Sequence, residues 1–494
     1  MGSGWDPSEA VLTMETIRDS STGGTTRGTA VRRERQEQMV QEYSELDDKA
    51  PRADGRVHED QAMPGPVSGS GRLDVSKPIW PFEPDAADGK KKTGKAAKGI
   101  KSSKKDKKAK KAKRVNKVRK PKSGRRREKA LPALFQPMEL RDQHIRNRIW
   151  MPPMDTYSSL RHDGVPTNFH YQHYVSRALG GFGVVIGEAT AVNPQGRISP
   201  CDVGLWDDEQ TRAWQGIVRD VKAAGAVPIV QLNHSGRKGS SGCSSMGYIN
   251  ATVPVAEGGW QPVGPSPIAF GRMAVPVQLS RAQIASIVAD FRSAAVRAVQ
   301  AGFLGVELHA AHGYLLSQFL DPLINRRSDE YGGDLSGRMR LLIQVTDAVR
   351  EVIPSGMPLL VRMSATDWAT GGWGLDETIR TAKVLKLHGV DLIDVSTGGL
   401  VPGVKIPAAP NYQVPFSYQV RSQVLIPTTA VGLITKPRQA DRIVRKGLAD
   451  AVEIGRASLR DPYWPLRAAY KLGLSAQQAP YPEPYRRGAY GIAR

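Results

Sequence analysis

From Leu131 onward one pattern repeats: a short apolar run rich in β-branched residues, then a longer stretch at helical period. Eight such runs can be counted, at 148–151, 184–188, 227–232, 305–309, 359–364, 392–396, 428–432 and 451–454. Each unit must lay its strand parallel to the one before, with the helix covering the outside, and eight strands close such a sheet into a barrel. The pattern predicts an α/β chain with a (β/α)8 TIM barrel over residues 131–494. The most legible helix is expected over 280–300, where Ser280 and Gln283 form a capping box, Ile284, Ile287, Val288 and Phe291 share one face, and Gly302 stands as a stop. Between 238 and 277, directly after the third strand, lies a Gly-, Ser- and Pro-rich excursion without helical period. It is expected to hang over the active face as a lid or rim.

Residues 1–130 are rich in Gly, Ser, Pro, Lys and acids, and bury too little apolar surface to offset the entropy of ordering. They read as a disordered extension, with a short helix expected around 32–46 and an isolated apolar patch at Ile79-Trp80-Pro81-Phe82. The stretch 90–129 holds 22 Lys and Arg against two acids, Asp106 and Glu128, so nearly all of the formal +22 sits in one tract. The remainder is close to neutral and gives no electrostatic sign of a nucleic-acid-binding fold. The tract is open to three readings: a solvated tail, non-specific contact with nucleic acid or another acidic surface, and a nuclear import signal. It contains no aromatic residue, so stacking on bases is not available there.

Two cysteines, Cys201 and Cys243, are too few for a disulfide framework or a four-cysteine cluster. A reducing, cytoplasmic setting is the simpler expectation, and no metal is expected. Asp6, Glu9, Glu15 and Asp19 interrupt the first residues, which argues against a secretory signal, and no apolar run is long enough to cross a bilayer. Met1-Gly2 begins like a myristoylation site, but Asp6 stands where Ser or Thr is wanted.

Polar residues at the C-terminal ends of barrel strands converge on one mouth. The third strand runs out through Gln231-Leu232-Asn233-His234 into Gly236-Arg237-Lys238, the fourth through His309-Ala310-Ala311-His312-Gly313-Tyr314, and the fifth carries Arg362. Two imidazoles three residues apart can both donate to one carbonyl oxygen while a tyrosine hydroxyl waits as proton donor. The same spacing also fits a metal pair or surface histidines, although no third ligand stands clearly nearby. By the same token Gln231 alone reads as a satisfied strand end, Arg237 and Lys238 as a solvated pair, and Tyr157 and Tyr314 as packed aromatics.

Several segments carry a resemblance. They are Met151-Pro152-Pro153-Met154, Gly187-Glu188-Ala189-Thr190, Gln231 with Gly236-Arg237-Lys238, and His309 to Tyr314. Further on come Asn325-Arg326-Arg327 with Asp329-Glu330-Tyr331-Gly332-Gly333, Val431-Gly432-Leu433-Ile434, Gly455-Arg456 and Asp461-Pro462-Tyr463-Trp464-Pro465. In this order, over about 134–464, the chain resembles the Old Yellow Enzyme family, and most of all its bacterial, thermophilic-like branch of ene-reductases. The resemblance implies tightly bound FMN, reduced by NAD(P)H and reoxidised by the activated C=C bond of an α,β-unsaturated carbonyl compound.

Position by position, the resemblance assigns Pro152, Pro153, Met154, Asp155, Ala189, Gln231 and Arg362 to the isoalloxazine and ribityl chain. Arg362 falls near the N1–C2=O edge, where a fixed positive charge favours the anionic reduced flavin. Gly455 and Arg456 fall to the phosphate, and Gly432 to the same cofactor. His309 and His312 are assigned to the substrate carbonyl, so that hydride from flavin N5 reaches the β-carbon, Tyr314 to protonation of the α-carbon, and Tyr157 to substrate contact from the opposite side. The branch usually has a cysteine after Pro153-Met154, and this chain has Asp155. An ionised carboxylate there disfavours the reduced flavin, so burial holds it protonated, or the potential is lowered, or the side chain turns away. The segment Tyr485-Arg486-Arg487-Gly488 matches in part an arginine that enters a neighbouring subunit's site, which implies a homo-oligomer with Arg487 as its candidate. Two other functions stand beside ene reduction: a flavin enzyme acting in the oxidising direction, and a barrel scaffold whose basic tail binds polyanions.

Overall fold

The computed structural model describes residues 130–246, 248 and 251–492; the stretches 32–46, 79–82 and 90–129 lie outside the described residues. In chain order the strands are β1 (Met138–Leu140), β2 (Gln143–Ile145), β3 (Ile149–Met151), β4 (Val184–Ala191), β5 (Val227–Asn233), β6 (Val263–Gly264), β7 (Val277–Gln278), β8 (Gly305–Ala310), β9 (Leu359–Ser364), β10 (Leu392–Ser396), β11 (Thr428–Ala430) and β12 (Ala451–Glu453). The eight runs anticipated from the sequence are β3, β4, β5, β8, β9, β10, β11 and β12, and they pair in that order, all parallel, into a closed barrel. The excursion after β5 contains the short parallel pair β6 and β7 and two single turns of 3-10 helix.

Side chains alternate across a strand, so each barrel strand sends every second residue inward. At the lower end these are apolar: Trp150, Val184, Ile186, Val227, Ile229, Leu360, Leu392 and Ala451 form one buried cluster. The antiparallel hairpin of β1 and β2 closes that end from below, adding Met138, Leu140 and Ile145. The opposite parity, such as Val185, Val230, Val361 and Ile393, packs outward against the helices. Continuing the inward parity toward the C-terminal ends changes its chemistry entirely, to Gln231 and Asn233, Glu307 and His309, Arg362 and Ser364, Asp394 and Ser396, and Glu453. The fold is thus a greasy plug below and a polar chamber above.

The expected helix spans Arg281–Ala301, with Ser280 Oγ accepting from the Gln283 N–H and the Gln283 side chain returning the bond. Gly302 ends it at φ +87°, a left-handed conformation that glycine adopts without strain. Its buried Phe291 joins Trp214 and Phe303 in the layer between helices and barrel.

The cysteines depart from expectation. Cys201, on the loop after β4, and Cys243, in the excursion after β5, form a disulfide with Cα atoms 6.3 Å apart. Two cysteines are too few for a framework, yet one pair suffices to tie two neighbouring mouth loops together. A cross-link across a 42-residue separation removes denatured-state entropy worth about 2–4 kcal/mol. The oxidised protein is therefore expected to resist alkylation until reduced, and to melt several degrees above the reduced protein or Cys201→Ser/Cys243→Ser in calorimetry. Equal melting temperatures would deny the bond any structural weight.

Candidate active site

The middle inward layer is a charge cluster. Arg362 Nε lies 3.0 Å from Asp394 Oδ2 and its Nη2 lies 3.4 Å from Glu453 Oε2. Gln231 Nε2 donates to Glu307 Oε1 at 2.7 Å, and Thr429 Oγ1 to Asp394 Oδ1 at 2.6 Å. Burial lifts Glu307 to about 8, with the Asp394 charge adding to it, and the same two causes push Glu453 far above the carboxylate range. Burial works against the charge on Arg362 as well, but Asp394, Glu453, Glu307 and Asp155 outweigh it and keep the guanidinium protonated. Positive charge is thereby fixed inside the barrel, with carboxyl groups around it.

Above that layer, β8 delivers His309, and the chain turns sharply at His312 (φ +58°) to bring its ring back over the same point. His309 Nε2 and His312 Nδ1 stand 3.4 Å apart, and the Tyr314 ring meets that of His309 edge-on with centroids 4.9 Å apart. Burial first, then the charges of His312, Arg362 and Lys238, hold His309 far below its usual pKa; burial, Arg362 and Lys238 do the same for His312. Both rings are neutral at physiological pH and offer N–H donors without a buried charge. Tyr314 is pushed well above the normal tyrosine range by burial and then by Asp155, Tyr157 and Asp202, so its hydroxyl keeps its proton. Tyr157 (φ +53°) is raised by burial and by Asp155, Asp202 and Glu188. Among the described residues no cluster of three metal-type ligands includes the two histidines.

Arg237 and Lys238 are not a solvated pair. Arg237 is buried and donates to the carbonyls of Ile268, Ala269 and Leu400, pinning the excursion after β5 to the mouth. Lys238 Nζ donates to the carbonyls of His312 and Gly399, and stands 4.2 Å from the centroid of Phe270 and 5.2 Å from that of Tyr314. Burial, with Arg237 nearby, brings it down to about 7. Their spacing after a strand end resembled surface charge, and only the returning excursion encloses them.

Asp155 turns toward this chamber. Its Oδ1 accepts the Ala189 N–H at 3.1 Å, and its charge is felt by Arg362, Tyr157 and Tyr314. Burial raises it to about 6 against that hydrogen bond and Arg362. Asp202 and Glu188 are two further acids of the mouth that the sequence reading did not single out as functional. Asp202 is tied down by Ile198 N–H and Ser199, and burial together with Asp155 raises it to about 7. Glu188 accepts from Thr156 and Tyr174, and burial raises it to about 8.

The remaining candidates lie at the ends of β3, β11 and β12. A Cβ added to Gly455 would lie 3.8 Å from Pro152 Cγ and 3.9 Å from Met154 Sδ, so the loop after β12 borders the Pro152–Met154 segment. Gly432 (φ +116°) admits no side chain without crowding Gln413 and Tyr412, and Tyr412 in turn feels the Arg456 charge. Open backbone with a guanidinium fits a phosphate, and Gln231 with Arg362 fits the polar edge of a planar heterocycle, so this donor set suits FMN. Arg487, by contrast, lies on the C-terminal surface in a groove with Tyr463, Tyr481 and Tyr490 rather than among the mouth residues.

A barrel whose strand ends pair an arginine-centred polar floor with neutral histidines and a protonated tyrosine suits a flavin oxidoreductase. Comparison with known proteins gives the family: residues 133–475 match the model of the NADH:flavin oxidoreductase / NADH oxidase family. The chain belongs to this, the Old Yellow Enzyme family, and is an FMN-dependent oxidoreductase with a nicotinamide reductant. It is 47% identical over 341 residues to the NADPH dehydrogenase of Listeria welshimeri, covering 69% of this chain and 95% of that one. Among solved structures it is similar to morphinone reductase (TM-score 0.59, 29% identity, 69% of this chain and 91% of that one). It is equally similar to the old yellow enzyme homologue of Zymomonas mobilis (TM-score 0.58, 29% identity, 73% and 100%).

Proposed function

We propose that the protein reduces the activated C=C bond of α,β-unsaturated carbonyl compounds, with NAD(P)H as the source of electrons. The observation that carries this reading is the convergence of His309 Nε2 and His312 Nδ1, 3.4 Å apart, beside the Tyr314 ring. Two neutral imidazoles whose nitrogens converge on one point suit, when each presents an N–H there, a carbonyl oxygen that gains negative charge as its conjugated alkene accepts hydride. FMN, when bound, supplies that hydride. The chain's own part is to grip the oxygen with the two histidines, to hold a proton on Tyr314 for the α-carbon, and to cover the chamber with the excursion pinned by Arg237. Pro152, Pro153, Met154, Ala189, Gln231 and Arg362 would hold the ring system, and Gly432, Gly455 and Arg456 the phosphate end. Tyr157 is assigned to the substrate side opposite Tyr314.

The test is an anaerobic absorbance experiment on the purified protein. A yellow solution bleached by NADPH and recoloured by cyclohexenone is expected. Bleaching without recolouring by enones would instead favour the oxidising direction, and a colourless protein that takes up no FMN a scaffold role.

Asp155 adds a pH dependence. Below about 6 it is neutral, and above that it carries a negative charge that opposes accumulation of electron density on the flavin. The midpoint potentials of wild type and Asp155→Asn are expected to agree at pH 5 and to diverge above pH 6, the wild type lying lower. Spectroelectrochemistry at pH 5 and pH 8 checks this, and parallel curves would remove Asp155 from control of the potential.

A further inference from the structure

The proton positions around His312 follow from its hydrogen-bond partners. His309 Nδ1 accepts the Ala311 N–H at 3.3 Å, so this neutral ring carries its proton on Nε2, which faces His312 Nδ1. On its far side His312 Nε2 lies 2.8 Å from Ser396 Oγ. Ser396 Oγ in turn lies 3.3 Å from Gln413 Oε1, and that oxygen also accepts from Thr397 Oγ1 at 2.7 Å. One consistent arrangement without a ligand runs in a single direction: His309 Nε2–H to His312 Nδ1, His312 Nε2–H to Ser396, and Ser396 O–H to Gln413.

That arrangement leaves His312 Nδ1 as an acceptor, unable to hold a carbonyl. In the other tautomer His312 carries its proton on Nδ1, and two N–H groups point at one another across the 3.4 Å gap. Such a pair is unfavourable when the gap is empty and satisfied when an oxygen with two lone pairs draws both donors to itself. The exchange then requires a donor to His312 Nε2, and Ser396 Oγ is the group in reach. Gln413 tolerates losing the serine proton because Thr397 still donates to it.

We propose that Ser396, backed by Gln413, is a positioning residue that lets His312 change tautomer when an oxygen ligand enters between the two histidines. Solvent water takes the proton from Nε2 and supplies one to Nδ1 before the ligand closes over the pair, so the ring stays neutral, and the serine hydroxyl rotates from Gln413 to donate to Nε2. The change lets both histidines donate to a bare oxygen acceptor such as a carbonyl, which the free-protein tautomer would hold through His309 alone. The inference rests on the proposed role of the two histidines as the carbonyl grip.

The experiment uses the oxidised, FMN-loaded protein with cyclohexenone and no reductant, so that the enone binds without turnover. With ¹⁵N-labelled histidine, the His312 signals, assigned through His312→Asn, are expected to show a protonated Nε2 in the free protein and a protonated Nδ1 on saturation. Ser396→Ala is expected to lose this exchange and to bind cyclohexenone about tenfold more weakly, with bleaching by NADPH unchanged, while Ser396→Thr restores both. A protonated Nδ1 in the free wild type, or wild-type enone affinity in a yellow Ser396→Ala protein, would overturn the proposal. If His309→Ala weakens enone binding and Ser396→Ala does not, the relay alone fails. If the oxidised protein binds no enone at all, the histidine grip fails and this inference with it.

Discussion

Tyr314→Phe is expected to slow reoxidation by cyclohexenone by about 10²–10⁴-fold, the range for loss of a positioned general acid, while NADPH bleaches the flavin at the wild-type rate. The phenol stands against His309 and under Lys238, and burial, with Asp155, Tyr157 and Asp202 nearby, keeps its proton in place well above neutral pH. Phe preserves the ring packing, so the loss isolates the proton. Stopped-flow absorbance of the two half-reactions separates the effects, and an equal slowing of both would assign Tyr314 to packing.

Arg362→Met carries the largest expected cost in stability. The guanidinium is buried between Asp394 on the adjacent strand β10 and Glu453 on β12, further round the barrel, with Glu307 close enough to influence it. Removing it leaves Asp394 and Glu453 without the guanidinium that bridges them. Breaking a buried ion pair from one side costs about 3–5 kcal/mol, and this variant is also expected to retain little FMN. The triple change Arg362→Met/Asp394→Asn/Glu453→Gln, which removes the stranded charge, is expected to recover most of the thermal stability but not the flavin. Urea unfolding and the flavin-to-protein absorbance ratio read the two outcomes independently.

Much of this architecture was legible because barrel strands buried on both faces read as short, nearly continuous apolar runs. All eight barrel strands fall within a few residues of their apolar runs, and the capping box at Ser280 and Gln283 sits at the observed helix start. β4 runs on to Ala191 through an irregularity between Gly187 and Ala189, which a simple alternation does not follow. His309, Arg362 and Gln231 were legible as polar residues interrupting apolar strands. What the chain order hid were groups that become interior only through a returning loop. Lys238 and Arg237 read as solvent-facing until the excursion folds over them, and Cys201 and Cys243, forty-two positions apart, meet only because neighbouring strands bring their loops together. Asp202 was missed because it stands on a loop in no recognisable spacing with the groups it serves, whereas Ser396 ends the run 392–396 and carried the signal of a polar strand end. Arg487, assigned from a partial local match to a neighbouring subunit's site, lies in a surface groove of its own chain.

The proposed chemistry needs His309, His312, Tyr314 and Arg362 to act on one chamber, and the fate of the transferred hydrogens tests that most directly. With NADPH carrying deuterium at its transferable position and cyclohexenone as acceptor, mass spectrometry and NMR of the product should find deuterium on the β-carbon and a solvent-derived hydrogen on the α-carbon. Deuterium on the carbonyl carbon or on the α-carbon would contradict it.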